Sequence, residues 1–197
     1  MFRLGLTGSI ASGKSTVLAA FAEHGVPVFS ADEAVHALYA GEAAPEVEAL
    51  FPGIVHSGVV DRAELGRRLA ADPARLPELE AIVHPLVRRR LAGFLADAEA
   101  SGAALAVVDI PLLFETGFDY GLDAVAVTRA GDHLIRTRAL ARPGMTVDKF
   151  AAIIARQLPE SEKLERADFV IPTDGPLEET RAAVARLVRQ LGGNTTR

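Results

Sequence analysis

The 197-residue chain contains no cysteine. That absence removes disulfides, thiol nucleophiles and cysteine-held metals together, and it accords with a reducing compartment. Lysine is nearly as scarce. Only Lys14, Lys149 and Lys163 stand among the 21 basic residues, the remainder being arginine. Acidic residues number 26, so the formal net charge is −5 and no overall positive field draws the protein to nucleic acid or an anionic membrane. An anionic ligand must therefore meet a local site. No run approaches the ~18 consecutive apolar residues of a membrane span. The opening "MFRLGLTGSI" breaks into glycine and serine too early for the apolar stretch of a signal peptide. A soluble, cytoplasmic protein is expected. The chain also lacks H-x-x-x-H and H-E-x-x-H spacings, which argues against a protein-held zinc, and N-K-x-D, which disfavours a GTPase.

What is present suits a folded protein with one sizeable core, since 49% of the residues are hydrophobic. Short aliphatic runs recur at 2–7, 26–30, 104–110, 123–128 and 168–171. They are continuous and not alternating, as strands buried on both faces of a parallel sheet are. Between them, 14–24, 131–141, 147–158 and 176–191 carry apolar residues at three- and four-residue spacing and predict helices. The alternation predicts an α/β fold with a parallel sheet flanked by helices. Residues 33–101 break the rhythm with helical patterns and no convincing strand, which predicts a helical insertion on the substrate side. The tail "GGNTTR" is expected to fray.

Chemistry concentrates first in "GSIASGKST", Gly8 to Thr16, which fits G-x-x-x-x-G-K-[ST] between a predicted strand and a predicted helix. In that motif the glycines let backbone N–H groups turn inward around a phosphate chain. Gly8, Ala11, Ser12, Gly13, Ser15 and Thr16 would line the phosphates of a nucleoside triphosphate, Lys14 would reach the β- and γ-phosphates, and the Ser15 hydroxyl would meet Mg²⁺. A G-x-G-x-x-G dinucleotide fingerprint fits less well.

The other candidates have two readings each. Asp32 follows the second predicted strand, where a carboxylate could accept or orient an acceptor hydroxyl during attack on a γ-phosphate. It also suits the first turn of a helix capped by Ser30 and Glu33. Asp109 ends a strongly apolar strand, a position for Mg²⁺, or it caps the turn at Pro111. Glu115 follows the apolar Leu112–Phe114 segment beside the expected phosphate site and is a candidate for substrate contact. Arg138 and Arg142 share a helical face and suit clamping of a phosphoryl group, or form a solvated face with Arg136. The "RPGMT" after them reads as a helix break and a lid. His84 precedes Pro85, which fits the first position of a helix, and Arg88 lies one turn on. Both are candidates for substrate contact or for a structural role.

Taken in order, "LGLTGSIASGKSTV", "SAD" at 30–32, "VDRAEL" at 60–65, "LEAIVHPLVR" at 79–88, "PLLFE" at 111–115, the arginine segment 136–142, Gln157 and "KLERADFVI" at 163–171 resemble the dephospho-coenzyme A kinase family over nearly the whole chain. The resemblance implies a phosphotransferase with an alcohol acceptor, passing the γ-phosphate of ATP to the ribose 3′-hydroxyl of dephospho-CoA, with Mg²⁺. It implies a P-loop kinase fold: a five-stranded parallel sheet in a nucleotide-binding core over 1–32 and 102–197, a lid at about 138–150, and a helical CoA-binding domain over 33–101. It assigns Asp32 as catalytic base, and Arg62, His84 and Arg88 to the substrate domain. Arg138 and Arg142 match the lid, and Thr173 to Gly175 the adenine-side loop. Ser9 and Ala11 stand where the family favours glycine, Ser30 where it has an aspartate, and Thr173 where it favours asparagine. A monomer is the expected state. Another small-molecule kinase on the same core, or a nucleotide-dependent switch that transfers nothing, remain the alternatives.

Overall fold

Each of the five apolar runs forms a strand of one sheet. The computed structural model describes residues 1–193; of the expected frayed tail, residues 194–197 lie outside them. The strands are β1 (Phe2–Gly8), β2 (Val28–Ser30), β3 (Val55–His56), β4 (Val59–Val60), β5 (Leu105–Asp109), β6 (Ala124–Arg129) and β7 (Phe169–Pro172). The helices are α1 (Lys14–Glu23), α2 (Ala31–Tyr39), α3 (Ala44–Leu50), α4 (Arg62–Ala71), α5 (Leu76–Ala100), α6 (Asp132–Leu140), α7 (Val147–Ile154), α8 (Glu160–Glu165) and α9 (Leu177–Gly192).

The main sheet runs β2-β5-β1-β6-β7 and is parallel, with β1 at its centre. Leu4, Leu6, Val107, Ala126 and Ile171 fill its interior against Val17 and Phe21 of α1 and Val184 and Leu187 of α9. Burial on both faces explains why these strands read as unbroken apolar runs. The register pairs Leu6 with Asp109 and Gly8 with Thr128, so the carboxyl ends of β5, β1 and β6 lie together. Parallel α/β sheets bind ligands at that edge.

Two compact units make up the chain: Met1–Phe29 with everything from Asp97 onward, and Ser30–Ala96. The second unit packs Leu38, Val47, Phe51, Ile54, Leu65, Leu79 and Val83 into its own core. Glu48 braces it, accepting the N–H groups of Gly53 (2.6 Å), Ile54 (3.0 Å) and Val55 (2.8 Å). These bonds, that from Gly53 foremost, hold the Glu48 carboxyl below its ordinary value.

Three local expectations need correction. The segment 33–101 is not free of strands, because β3 and β4 form a hairpin within it. Each strand has two residues, too few for periodicity to register, but the Ser57-Gly58 turn has positive φ at both positions (52° and 80°), the geometry of a tight hairpin. Second, Pro85 does not start a helix; it lies inside the 25-residue α5. Interior proline costs about 3 kcal/mol. Leu79, Val83, Leu86, Leu91 and Leu95 are buried along the same helix, and at about 1.5–3 kcal/mol each they outweigh that cost. Third, the helix expected to run to 158 stops at Ile154, and the separate α8 begins at Glu160. Pro159 disfavours helical backbone at Leu158, which separates the two. No helix among the described residues is long and apolar enough to cross a membrane.

Candidate active site

The segment Gly8–Ser15 leaves the end of β1 and enters the first turn of α1. Its curvature depends on backbone that few side chains tolerate: φ is 152° at Gly8, 59° at Ala11 and 90° at Gly13. A Cβ on Gly8 would collide with the Thr128 hydroxyl and come within 2.7 Å of Ser12 Oγ and 2.9 Å of the Thr128 carbonyl. Ala11 lacks glycine's freedom, and its left-handed conformation costs about 1–2 kcal/mol. Burial keeps it there, for Ile10 and Ala11 pack with Ala139, Met145, Phe150 and Ile153 of the α6–α7 region. The first turn of α1 carries no acidic residue and its N-cap, Gly13, offers no side chain, so the positive helix end stays open to an anion.

Braces distant in sequence hold the loop. The hydroxyls of Ser12 and Thr128 bond at 2.5 Å. The Thr173 hydroxyl donates to the Ser12 carbonyl at 2.6 Å and lies 3.1 Å from that of Arg129. The Ile10 N–H donates to Gln157 Oε1 at 3.1 Å. Lys14 Nζ donates to the Gly8 carbonyl at 3.1 Å, folded back over the loop it belongs to.

A cavity of about 310 Å³ opens beside this loop, lined by Gly13, Ser15, Thr16, Arg138, Arg142 and Gly175 among others. Arg138, half-buried on α6, donates to the Thr173 carbonyl at 2.9 Å, while Arg142 follows the helix end and is exposed. Of the expected phosphate-binding residues, Ala11, Gly13, Ser15 and Thr16 thus meet both arginines, Thr173 and Gly175 around one cavity. Arg136 faces away, its guanidinium 5.9 Å from the Phe150 ring. A larger cavity, about 520 Å³, lies on that other side, between Ser9, Phe150, Gln157 and Glu160. Burial, then the nearby Asp132 carboxylate, raises the Glu160 carboxyl above its ordinary value.

Asp109 is buried at the end of β5, 6% exposed and beside β1 in register. Glu115 is turned into the protein: its Oε1 accepts the Leu158 N–H at 2.8 Å and lies 3.1 Å from Lys163 Nζ. Asp32, Arg62, His84 and Arg88 belong to the second unit. Asp32 is exposed in the first turn of α2, whose N-cap Ser30 accepts the Glu33 N–H at 3.3 Å. Arg62 begins α4 and lies 2.6 Å from His36 Nδ1. Because a guanidinium only donates, that nitrogen carries a lone pair and the proton of a neutral ring sits on Nε2. His84 and Arg88, one turn apart on α5, are both half-buried.

Sequence reasoning passed over Thr128 and Lys163. Thr128 had a signal as the hydroxyl closing the run "DAVAVT", and Lys163 had one in the scarcity of lysine.

Comparison with known proteins gives the family and the fold. The family model described as dephospho-CoA kinase matches residues 2–179. A dephospho-CoA kinase of Mesorhizobium japonicum is 55% identical over 98% of this chain and 98% of its own, and one of Brucella melitensis is 52% identical over 98% and 96%. Among solved structures, dephospho-CoA kinase from Campylobacter jejuni superposes with a TM-score of 0.74 at 26% identity, covering 98% of both chains. With a glycine-rich phosphate loop at the centre of a parallel sheet and a family match spanning both units, this chain belongs to the dephospho-CoA kinase family.

Proposed function

We propose that this dephospho-CoA kinase moves the γ-phosphoryl group of ATP, held at the Gly8–Ser15 loop, onto the ribose 3′-hydroxyl of dephospho-CoA. The observation that carries the reading is the loop itself, held in left-handed backbone at Ala11 and Gly13 and adjoined by a cavity that presents Arg138 and Arg142. Preorganised donors stabilise developing charge without reorganisation during the reaction.

In this reading the loop amides and the open end of α1 receive the phosphate chain. Lys14 exchanges the Gly8 carbonyl for the β- and γ-phosphate oxygens, which leaves its charge in place throughout. Arg138 and Arg142 clamp the phosphoryl group in transit. Gly175 and the backbone around Thr173 face the adenine, since the Thr173 hydroxyl is already spent on Ser12. Arg62, His84 and Arg88 receive the anionic dephospho-CoA, for which guanidinium forks are suited. Asp32 takes the proton of the ribose hydroxyl as it attacks.

Ser15 and Asp109 would hold Mg²⁺. Both offer oxygen, and the described residues contain no group of three or more acidic or histidine side chains that could cage a metal. That donor set fits a cation completing its shell with water and substrate phosphates. When bound, the ion supplies charge neutralisation on the β- and γ-phosphates.

Release of ADP with dephospho-CoA, shikimate, gluconate and nucleoside monophosphates tests the assignment. Dephospho-CoA should be strongly preferred, and equal turnover of another acceptor overturns the reading. Asp32→Asn should lower kcat about 100-fold or more while ATP binding stays near wild type. Near-normal kcat removes Asp32 from the chemistry.

A further inference from the structure

Lys163 on α8 is fully buried, 0% exposed, a rare condition for lysine. Its ammonium lies 3.1 Å from Oε1 of Glu115, itself only 11% exposed. The same oxygen accepts the Leu158 N–H at 2.8 Å. The pair therefore fixes the backbone of the segment between α7 and α8 at Leu158. The preceding residue, Gln157, sends its side-chain oxygen to the Ile10 N–H of the phosphate loop at 3.1 Å. Only the amide oxygen can accept, so this bond sets which way the Gln157 amide faces.

We propose that Gln157 is a positioning residue for the phosphate loop, seated by the buried Lys163–Glu115 pair. Ile10 immediately precedes Ala11, the one non-glycine residue of the loop held in the left-handed region. An N–H tethered at Ile10 fixes the chain on the entering side of that strained residue. The Ser12 bonds to Thr128 and Thr173 fix the leaving side. Without the Gln157 tether, packing against Ala139, Met145, Phe150 and Ile153 is left to hold Ala11 in its left-handed conformation, and the amides that face the phosphates converge less well. Gln157 does this through the loop, without touching the reacting groups. The glutamine, the lysine and the glutamate thus form one path from α8 to the nucleotide.

The inference rests on this loop being the ATP site, and its test separates the two. Binding of a fluorescent ATP analogue is measured at equilibrium, with steady-state KM values for ATP and dephospho-CoA alongside. Gln157→Leu, similar in size but unable to accept, should weaken ATP roughly fivefold, the worth of one lost backbone tether. KM for dephospho-CoA should stay within about twofold. Gln157→Glu keeps an acceptor oxygen and should recover most of the loss. Unchanged ATP affinity in Gln157→Leu, an equal rise in both KM values, or failure of Gln157→Glu to rescue overturns the tether.

The pair is tested with Lys163→Met and Glu115→Met combined, which leaves no buried unpaired charge and no acceptor for the Leu158 N–H. This double variant should also weaken ATP, and adding Gln157→Leu should bring little further loss, because the groups act through one path. Full additivity refutes the connection. Wild-type protein that fails to bind the analogue overturns the nucleotide-site reading and this inference with it. Normal wild-type binding with an unaffected Gln157→Leu overturns the tether alone.

Discussion

Replacing Lys163 by methionine would remove the positive member of the buried pair while keeping a side chain of similar length. At 3.1 Å, with an effective dielectric of about 20, the attraction to Glu115 is about 5 kcal/mol. Much of it is offset by the cost of taking both charges out of water. Among the described residues, the ammonium sits outside hydrogen-bond geometry and Glu115 Oε2 has no hydrogen-bond partner, so the compensation is incomplete. Losing one member leaves the other buried and alone, which costs about 3–5 kcal/mol. Each kcal/mol lowers the midpoint of a chain this size by about 2–4 °C, so Lys163→Met should melt roughly 6–20 °C below wild type. Thermal unfolding followed by circular dichroism at neutral pH measures this. The companion variant, Lys163→Met with Glu115→Gln, removes the orphan charge while an amide oxygen still accepts the Leu158 N–H. It should recover at least half of the loss. A single variant within about 2 °C of wild type would show that burial of the pair does not persist in solution. A double variant no better than the single would show that charge is not the cause.

Gly8→Ala should abolish measurable nucleotide binding with little change in the second unit, because the added Cβ meets the Thr128 carbonyl at 2.9 Å and that backbone is fixed in the sheet; normal affinity by equilibrium titration would contradict the loop geometry. The second unit should lose stability in acid. Glu48 has a folded-state value lowered from 4.5 by the Gly53, Val55 and Ile54 N–H groups, so its contribution is complete above 4.5 and disappears as pH falls through the lowered value. Asp61, lowered from 3.8 chiefly by the Glu64 N–H, acts in the same direction over a lower range. Glu48→Gln should flatten the acid limb of a denaturation series taken from pH 6 to about 3, and an unchanged limb would remove Glu48 from it.

The parts legible in the sequence are those whose physics is local. Strands buried on both faces leave apolar runs, and G-x-x-x-x-G-K-S carries its own turn, helix start and lysine, so neither needs knowledge of a distant partner. Ser30 and Glu33 likewise announced the start of α2 from three residues apart. What stayed hidden was decided by pairing. Glu115 was expected to reach substrate, yet its Oε1 meets Leu158 and Lys163, whose positions follow from a crossover that sequence spacing does not report. Thr173 was placed on the adenine side by its loop alone, with no sign that its hydroxyl braces the phosphate loop. The braces lie far away along the chain: 116 residues separate Ser12 from Thr128, 147 separate Ile10 from Gln157, and 161 separate Ser12 from Thr173. Two of these were nonetheless discoverable. A parallel sheet gathers the carboxyl ends of its strands at one edge, so a hydroxyl that closes an apolar run arrives beside whatever loop leaves the central strand. Thr128 closes "DAVAVT" and Thr173 closes "DFVIPT". Gln157 sits at no strand end, and only the position of Leu158 on Glu115 brings it to Ile10, which is why its role emerges from the structure and not from the pattern.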